Sequence, residues 1–330
     1  MNMKKIEYHS LYVLKALAAL FVLMIHFEFY KRQYLEPIFK CGVPVFYIIS
    51  GFFLYSANPY QNEERNIRKG MTKIFKIMLF FNLAYFILQY ALTGTSCIRS
   101  LHDVVRLIMF GDNISGHLWF LTSYLWTLVV FGLLLMLKNG YRIMGVLALL
   151  YFVEEILVGQ YSFLYLTLNR VHDYVPCLGV SLPMMYIGYS LKKHEQILKT
   201  KLVSRGAGLA LMSSVVLLYL EHKLLSDANH YMGGIMISSY VATICFFVFC
   251  LVHQEYGKGT FIEKIGKYHS GNIYYWQFFP YYLFVSGLVT EYRLGNVCLL
   301  VMLIVLLGWS YGVNILEGKL LKIRNRIICK

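Results

Sequence analysis

Charge is scarce in this sequence. Of 330 residues, 15% are Asp, Glu, Lys or Arg, while 58% are hydrophobic and 17% aromatic. Mean hydropathy is +0.56. A soluble domain carries roughly a quarter charged residues, which it needs to cover its surface, so a soluble globular protein is excluded. Acidic residues are the scarcer sign, 17 against 31 Lys and Arg, leaving a net charge of +14. That excess does not point to nucleic acid. The basic residues sit in short loops between apolar runs, the pattern that membrane insertion leaves, and no nucleic-acid reading module is embedded among them. Cysteine is sparse and unpatterned. Cys41, Cys97, Cys177, Cys245, Cys250, Cys298 and Cys329 form no CxxC and no Cys/His ligand spacing, so no metal site is expected. Several would fall near the outer face, but no disulfide pairing follows from their positions. The chain also lacks low-complexity tracts, internal repeats and a second soluble domain. No cleavable leader is expected, because the first apolar run is long enough to span and the rest follows directly.

What is abundant is long hydrophobic runs. A bilayer span takes about 20 apolar residues. Ten runs answer to it, at roughly 11–30, 41–57, 74–92, 117–137, 142–158, 177–191, 206–223, 235–252, 272–290 and 296–316. With the N-terminus inside, 21 Lys and Arg fall in inner segments and 7 in outer ones. This bias predicts both termini cytoplasmic and an even number of spans. The expected fold is all-α, a polytopic membrane helix bundle of about ten transmembrane helices forming one integral-membrane domain over 1–330. The longest outer connection, 93–116, holds Leu101, Val104, Val105, Ile108 and Met109 at helical spacing. It reads as a short amphipathic helix at the interface. The basic tail "EGKLLKIRNRIICK" reads as a topology anchor near anionic lipid.

Polar groups inside the apolar runs are the candidates for chemistry. "LKALAALFVLMIHF" holds Lys15 and His26. Eleven helical residues turn by about 1,100° and rise about 16.5 Å, so the two share a stripe. Lys15 in hydrocarbon is costly unless it faces protein or water, and His26 titrates where a general base should. The plain alternative is that Lys15 snorkels and His26 sits at the interface. Ser50 and Gly51, in "GVPVFYIISGFFLY", form a small-residue notch, for close helix packing or for the wall of a ligand channel. "GHLWFL" places His117 and Trp119 at the outer interface, where Trp is expected. Glu154 and Glu155 are either buried carboxylates or outer-rim residues; Glu221 and His222 look like rim residues. Arg65, Arg68, Lys69 and Lys73 precede the third run, either as inside anchors or as a cradle for the phosphates of a cytoplasmic ligand.

Taken in order, "LKALAALFVLMIH", "GVPVFYIISGFFL", "RKGMTKIFK", "HLWFL" and "IGKYHSGNIYYWQFFPYY" resemble the membrane acyltransferase-3 family over most of the chain. That family comprises ten-span bacterial enzymes, with eukaryotic relatives, that acylate sugars and surface polysaccharides. The resemblance implies an O-acyltransferase of the bacterial inner membrane. It would take acyl-CoA, usually acetyl-CoA, as co-substrate from the cytoplasm, with no permanently bound cofactor. The acceptor would be a sugar hydroxyl of a cell-surface polysaccharide or its lipid-linked precursor. It implies His26 as the catalytic base. Lys15 stands where the family usually has Arg, keeping the charge without the planar fork. Arg68, Lys69 and Lys73 would meet the CoA phosphates. Ser50, His117, Trp119, Tyr274 and Gln277 would line the acceptor channel, with Gln277 where the family commonly has His. Two rival readings use the same residues: a transporter, for example an exporter of lipid-linked sugar or a small anion, and a non-catalytic partner in polysaccharide export. No inverted repeat supports the first, and retention of His26 speaks against the second.

Overall fold

In hydrocarbon, each backbone N–H and C=O must find its partner within the segment. The apolar runs answer as helices. The structure, a computed structural model, describes residues 7–27, 29, 31–56, 63–111, 114–164, 178–198, 200–231, 233–280 and 295–328. Among these there is no strand. The helices are α1 (His9–His26), α2 (Arg32–Phe39), α3 (Gly42–Leu54), α4 (Glu64–Thr93), α5 (Leu101–Met109), α6 (Trp119–Leu135), α7 (Gly140–Val158), α8 (Ser181–Lys193), α9 (Glu195–Leu198), α10 (Lys201–Asp227), α11 (Ile237–Val252), α12 (Phe261–Tyr268), α13 (Ser270–Trp276), α14 (Phe278–Pro280) and α15 (Gly295–Ile328).

Among the described residues, six helical segments are long and apolar enough to cross a membrane: His9–His26, Arg32–Leu54, Glu64–Thr93, Gly116–Leu135, Lys201–Asp227 and Leu300–Lys319. The expected runs at 142–158, 177–191 and 235–252 correspond to α7, α8 and α11, the last two of 13 and 16 residues. The run expected at 272–290 begins as α13 and α14, and its remainder from 281 lies outside the described residues. So do Cys177, Arg170, Arg293 and the last two residues. Cys41, Cys97, Cys245 and Cys250 are free thiols.

Local chemistry sets the helix ends. Ser100 caps α5: its hydroxyl accepts from the Asp103 N–H at 3.2 Å, and the Asp103 carboxylate accepts from the Ser100 N–H at 2.9 Å. This is a reciprocal capping box. No residue of α5 is buried, and Leu101, Val105, Ile108 and Met109 are exposed, as an interfacial helix requires. Gly94 ends α4 in the left-handed region at φ +68°, its N–H bonded to the Tyr90 carbonyl at 2.9 Å, a conformation that glycine adopts without strain.

The chain packs as two compact units, Met1–Gly42 with His253–Lys330, and Val43–Val252. In the first, α12 crosses α1 at Gly266, where a Cβ would overlap the Tyr12 carbonyl. Leu23, Phe27, Met302 and Leu306 form a buried cluster between α1 and α15, with Trp276 against it. His9 Nδ1 and Glu263 Oε1 lie 2.5 Å apart, and Glu263 Oε2 accepts from the Gly259 N–H at 2.6 Å. These bonds tie the start of α1 to α12. In the second unit, α3 meets α8 at two glycines. A Cβ on Gly51 would overlap the Met185 carbonyl, and one on Gly188 the Ile48 carbonyl. The notch in "IISGFF" is therefore a site of close helix packing.

Candidate active site

The first unit holds Lys15, His26, Tyr274 and Gln277. Lys15 is half-buried on α1. His26 is the last residue of that helix and is exposed, with its ring edge-on to Phe278 at 5.1 Å between centroids. Phe278 also stacks on Phe27 at 6.3 Å. Phe278 therefore fixes one side of the imidazole. Gln277 immediately precedes it. Gln277 is 0% exposed, and neither its amide nitrogen nor its amide oxygen has a hydrogen-bond partner. Buried amides are normally paired, so this side chain is chemically unfinished in the protein by itself. Tyr274, one turn earlier on α13, is buried with its ring edge-on to Tyr275 at 5.7 Å.

A polar network that sequence reasoning did not single out anchors α13. The Asn314 carbonyl Oδ1 accepts from Asn272 Nδ2 at 3.0 Å. Asn314 Nδ2 donates to the Tyr268 carbonyl and to His269 Nδ1, each at 3.1 Å. The Ser310 hydroxyl reaches the same Nδ1 at 2.8 Å. Nδ1 thus accepts, and the proton of the neutral ring belongs on Nε2. Burial also holds the His269 pKa below its ordinary value, which keeps the imidazole neutral. Ser270 donates to the Gly266 carbonyl at 2.9 Å. His269 and these partners fix the start of the helix that carries Tyr274 and Gln277. The available signal was Ser310 and Asn314, four residues apart and so on one face of an apolar helix.

The second unit holds the remaining candidates. The Ser50 hydroxyl donates to the Phe46 carbonyl at 2.7 Å and is also hydrogen-bonded with Tyr124. His117 lies in a 3₁₀ turn, Gly116–Leu118, at 1% exposure. Its Nδ1 is 2.9 Å from the Ser115 hydroxyl, and its ring is edge-on to Tyr85 at 5.2 Å. The expected interfacial histidine is therefore packed inside protein, because the turn before α6 folds its ring against α4. Trp119 begins α6 and is half-buried.

Arg68, Lys69 and Lys73 are exposed on one face of α4, whose opposite face buries Ile67 and Ile74. That buried face packs on α6, where Gly70 meets Leu128. Arg68 pairs with Glu64 one turn back at 2.8 Å. An exposed pair of this kind is worth little and is readily exchanged for a stronger anion.

Of the acidic residues in the apolar runs, Glu155 is half-buried, its carboxylate in the space that a Cβ on Gly179 would fill. Glu221 accepts from the Tyr161 hydroxyl and, at 2.8 Å, from the Ser238 N–H. Among the described residues, no group of three or more His, Cys, Asp or Glu side chains is placed to hold a metal ion.

Compared with known families, residues 8–314 match the model of the acyltransferase-3 family, described as an acyltransferase domain. No curated protein and no solved structure matches the chain.

Proposed function

The chain belongs to the membrane acyltransferase-3 family and is a membrane acyltransferase, and from that premise we propose that it carries an acetyl group from acetyl-CoA to a sugar hydroxyl. The acceptor is a cell-surface polysaccharide or its lipid-linked precursor, and the membrane is the bacterial inner membrane, with both termini cytoplasmic. His26 takes the proton of the attacking hydroxyl. The oxygen adds to the thioester carbonyl, the C–S bond breaks, and the leaving CoA thiolate recovers the proton from the imidazolium. Lys15 stabilises negative charge along the donor. Arg68, Lys69 and Lys73 hold the CoA phosphates. Ser50, His117, Trp119, Tyr274 and Gln277 contact the acceptor or line its approach.

The observation that carries this reading is Gln277. A fully buried amide with no partner sits one residue from Phe278, which packs against His26. A sugar hydroxyl both donates and accepts, so it satisfies both ends of an amide. The exposed cations of α4 support the donor assignment, since guanidinium and ammonium groups both bind phosphate. The test is radiolabel transfer in nanodiscs, from acetyl-CoA to a panel of cell-envelope sugars. Wild-type protein should release CoA and label one acceptor class. Binding and consumption of no acyl-CoA of any chain length would overturn the reading in favour of transport or assembly.

A further inference from the structure

Two cations beside His26 take no part in the proposed proton transfer. They belong to α2, the short helix that follows α1. Arg32, Glu36 and Lys40 recur at four-residue intervals, so at 100° per residue they lie within about 80° of one another. Pro37 and Phe39 are the buried residues of α2, and the charged stripe lies between them around the helix. It is therefore turned toward protein. Phe39 fixes that orientation, with its ring 5.7 Å from Phe21 of α1 and 6.1 Å from Phe29 between centroids. Lys31 leads into α2 from the left-handed region at φ +63°, a conformation that a non-glycine residue holds only where its surroundings impose it.

Lys40 Nζ lies 3.5 Å from Glu36 Oε1, with the two side chains 14% and 19% exposed. Among the described residues, the charges that act on the His26 ring are those of Arg32 and Lys40. Charge turned inward in a membrane protein is costly and marks a functional site by default. Here its sign is informative. A base that takes a proton becomes a cation, and two neighbouring cations oppose that charge. Glu36 offsets Lys40 in part. An anion bound between the stripe and the ring removes the rest of the opposition. Such an anion also suits the guanidinium, which takes a carboxylate or a phosphate through two parallel hydrogen bonds.

We propose that the sugar acceptor is anionic, and that its carboxylate or phosphate binds Arg32 and Lys40 and so sets the reacting hydroxyl beside His26. Arg32 and Lys40 are then specificity-determining residues. This rests on the reading of His26 as the base of an acyl transfer to sugar, and the experiment separates the two by measuring binding and transfer independently.

The experiment is equilibrium binding of radiolabelled oligosaccharides to the full chain in phosphatidylcholine nanodiscs. The probes are a neutral glucan, the same glucan bearing a glucuronate, and the same glucan bearing a sugar phosphate. Transfer of acetyl from acetyl-CoA to each is then followed. Wild-type protein should bind one of the anionic forms about tenfold or more tightly than the neutral one, the worth of a charge-assisted hydrogen bond. The preferred form tells carboxylate from phosphate. Arg32→Gln and Lys40→Gln should each lose most of the preference, and Arg32→Lys should keep part of it. Glu36→Gln removes the counter-charge and leaves both cations, so it should strengthen the preference. A stripe that merely anchors α2 would show no such gain, and this variant decides the matter where a cation variant does not fold. Equal binding of neutral and anionic sugars by wild type would overturn the proposal, and labelling of the neutral sugar would leave acyl transfer standing. A preference unchanged in Arg32→Gln and Lys40→Gln would overturn the assignment to this stripe. Displacement of the sugar by dihexanoyl phosphatidylglycerol would give the stripe to a lipid headgroup and overturn it likewise. Charge-selective binding without transfer from any acyl-CoA would uphold the anion site and overturn the acyl-transfer reading instead.

Discussion

A primary amide buried without a partner costs about 1–3 kcal/mol, whereas replacing it by an apolar group of similar shape is nearly neutral or stabilising. Gln277→Leu should therefore melt at or above the wild-type temperature while losing transfer to the acceptor. A lower melting temperature with unchanged acceptor KM would make Gln277 a structural residue. Glu263 gives a pH prediction. The hydrogen bond with His9, with help from the Gly259 N–H, holds its pKa below the ordinary 4.5. A carboxyl whose pKa is lowered by folding stabilises the fold fully above the ordinary value, and that contribution disappears as pH falls through the lowered one. The melting-temperature gap between wild type and Glu263→Gln should thus be open above that ordinary value and narrow as pH falls below it. A gap that persists in acid would contradict this. At this scale the sequence was informative where a residue is costly in its setting. Lys15 and His26 stand out in an apolar run. His269 does not, because its partners Ser310 and Asn314 lie more than forty positions along the chain. His117 was legible as a residue but not as buried, since that depends on the turn that folds it against Tyr85.

Helix packing in lipid relies on small residues, because side-chain burial gains little when the solvent is itself apolar. Gly51 and Gly188 are the clearest case, each pressed on the backbone of the facing helix. Overpacking typically costs about 1–3 kcal/mol, and here the obstacle is backbone rather than a flexible side chain. Gly51→Val and Gly188→Val should each lower the melting temperature by several degrees, and the double variant should lose less than the sum because one contact is broken twice. Full additivity would mean that α3 and α8 do not meet there. The apolar runs made most helices legible, since a run of about 20 apolar residues has few alternatives in a membrane. The short helices were less so. α2 carries Pro37 and only eight residues, and α12 and α13 divide at His269 through tertiary bonds that no local pattern records. The amphipathic α5 was legible from its apolar spacing, and the Ser100 cap that the structure adds fixes where it begins.

At the scale of the whole molecule, the account assigns donor and acceptor to opposite faces of one membrane. The exposed Arg68, Lys69 and Lys73 should set donor affinity through charge: replacing all three with Gln should raise the KM for acetyl-CoA by about tenfold or more at low salt, with a smaller difference at 0.5 M salt, where screening is short-ranged. A salt-independent KM would remove them from donor binding. The family match over residues 8–314 was foreshadowed by five short segments in fixed order, whereas the sugar acceptor has no comparable signature in the sequence. The most direct test is sided transfer in proteoliposomes of uniform orientation, with labelled acetyl-CoA supplied to one face at a time, for wild type beside His26→Ala. The account predicts labelled acceptor only when acetyl-CoA meets the face bearing Arg68, Lys69 and Lys73, and a loss of about 10²- to 10⁴-fold in His26→Ala, the usual worth of a general base. Equal labelling from either face, or full transfer by a well-folded His26→Ala protein, would contradict it.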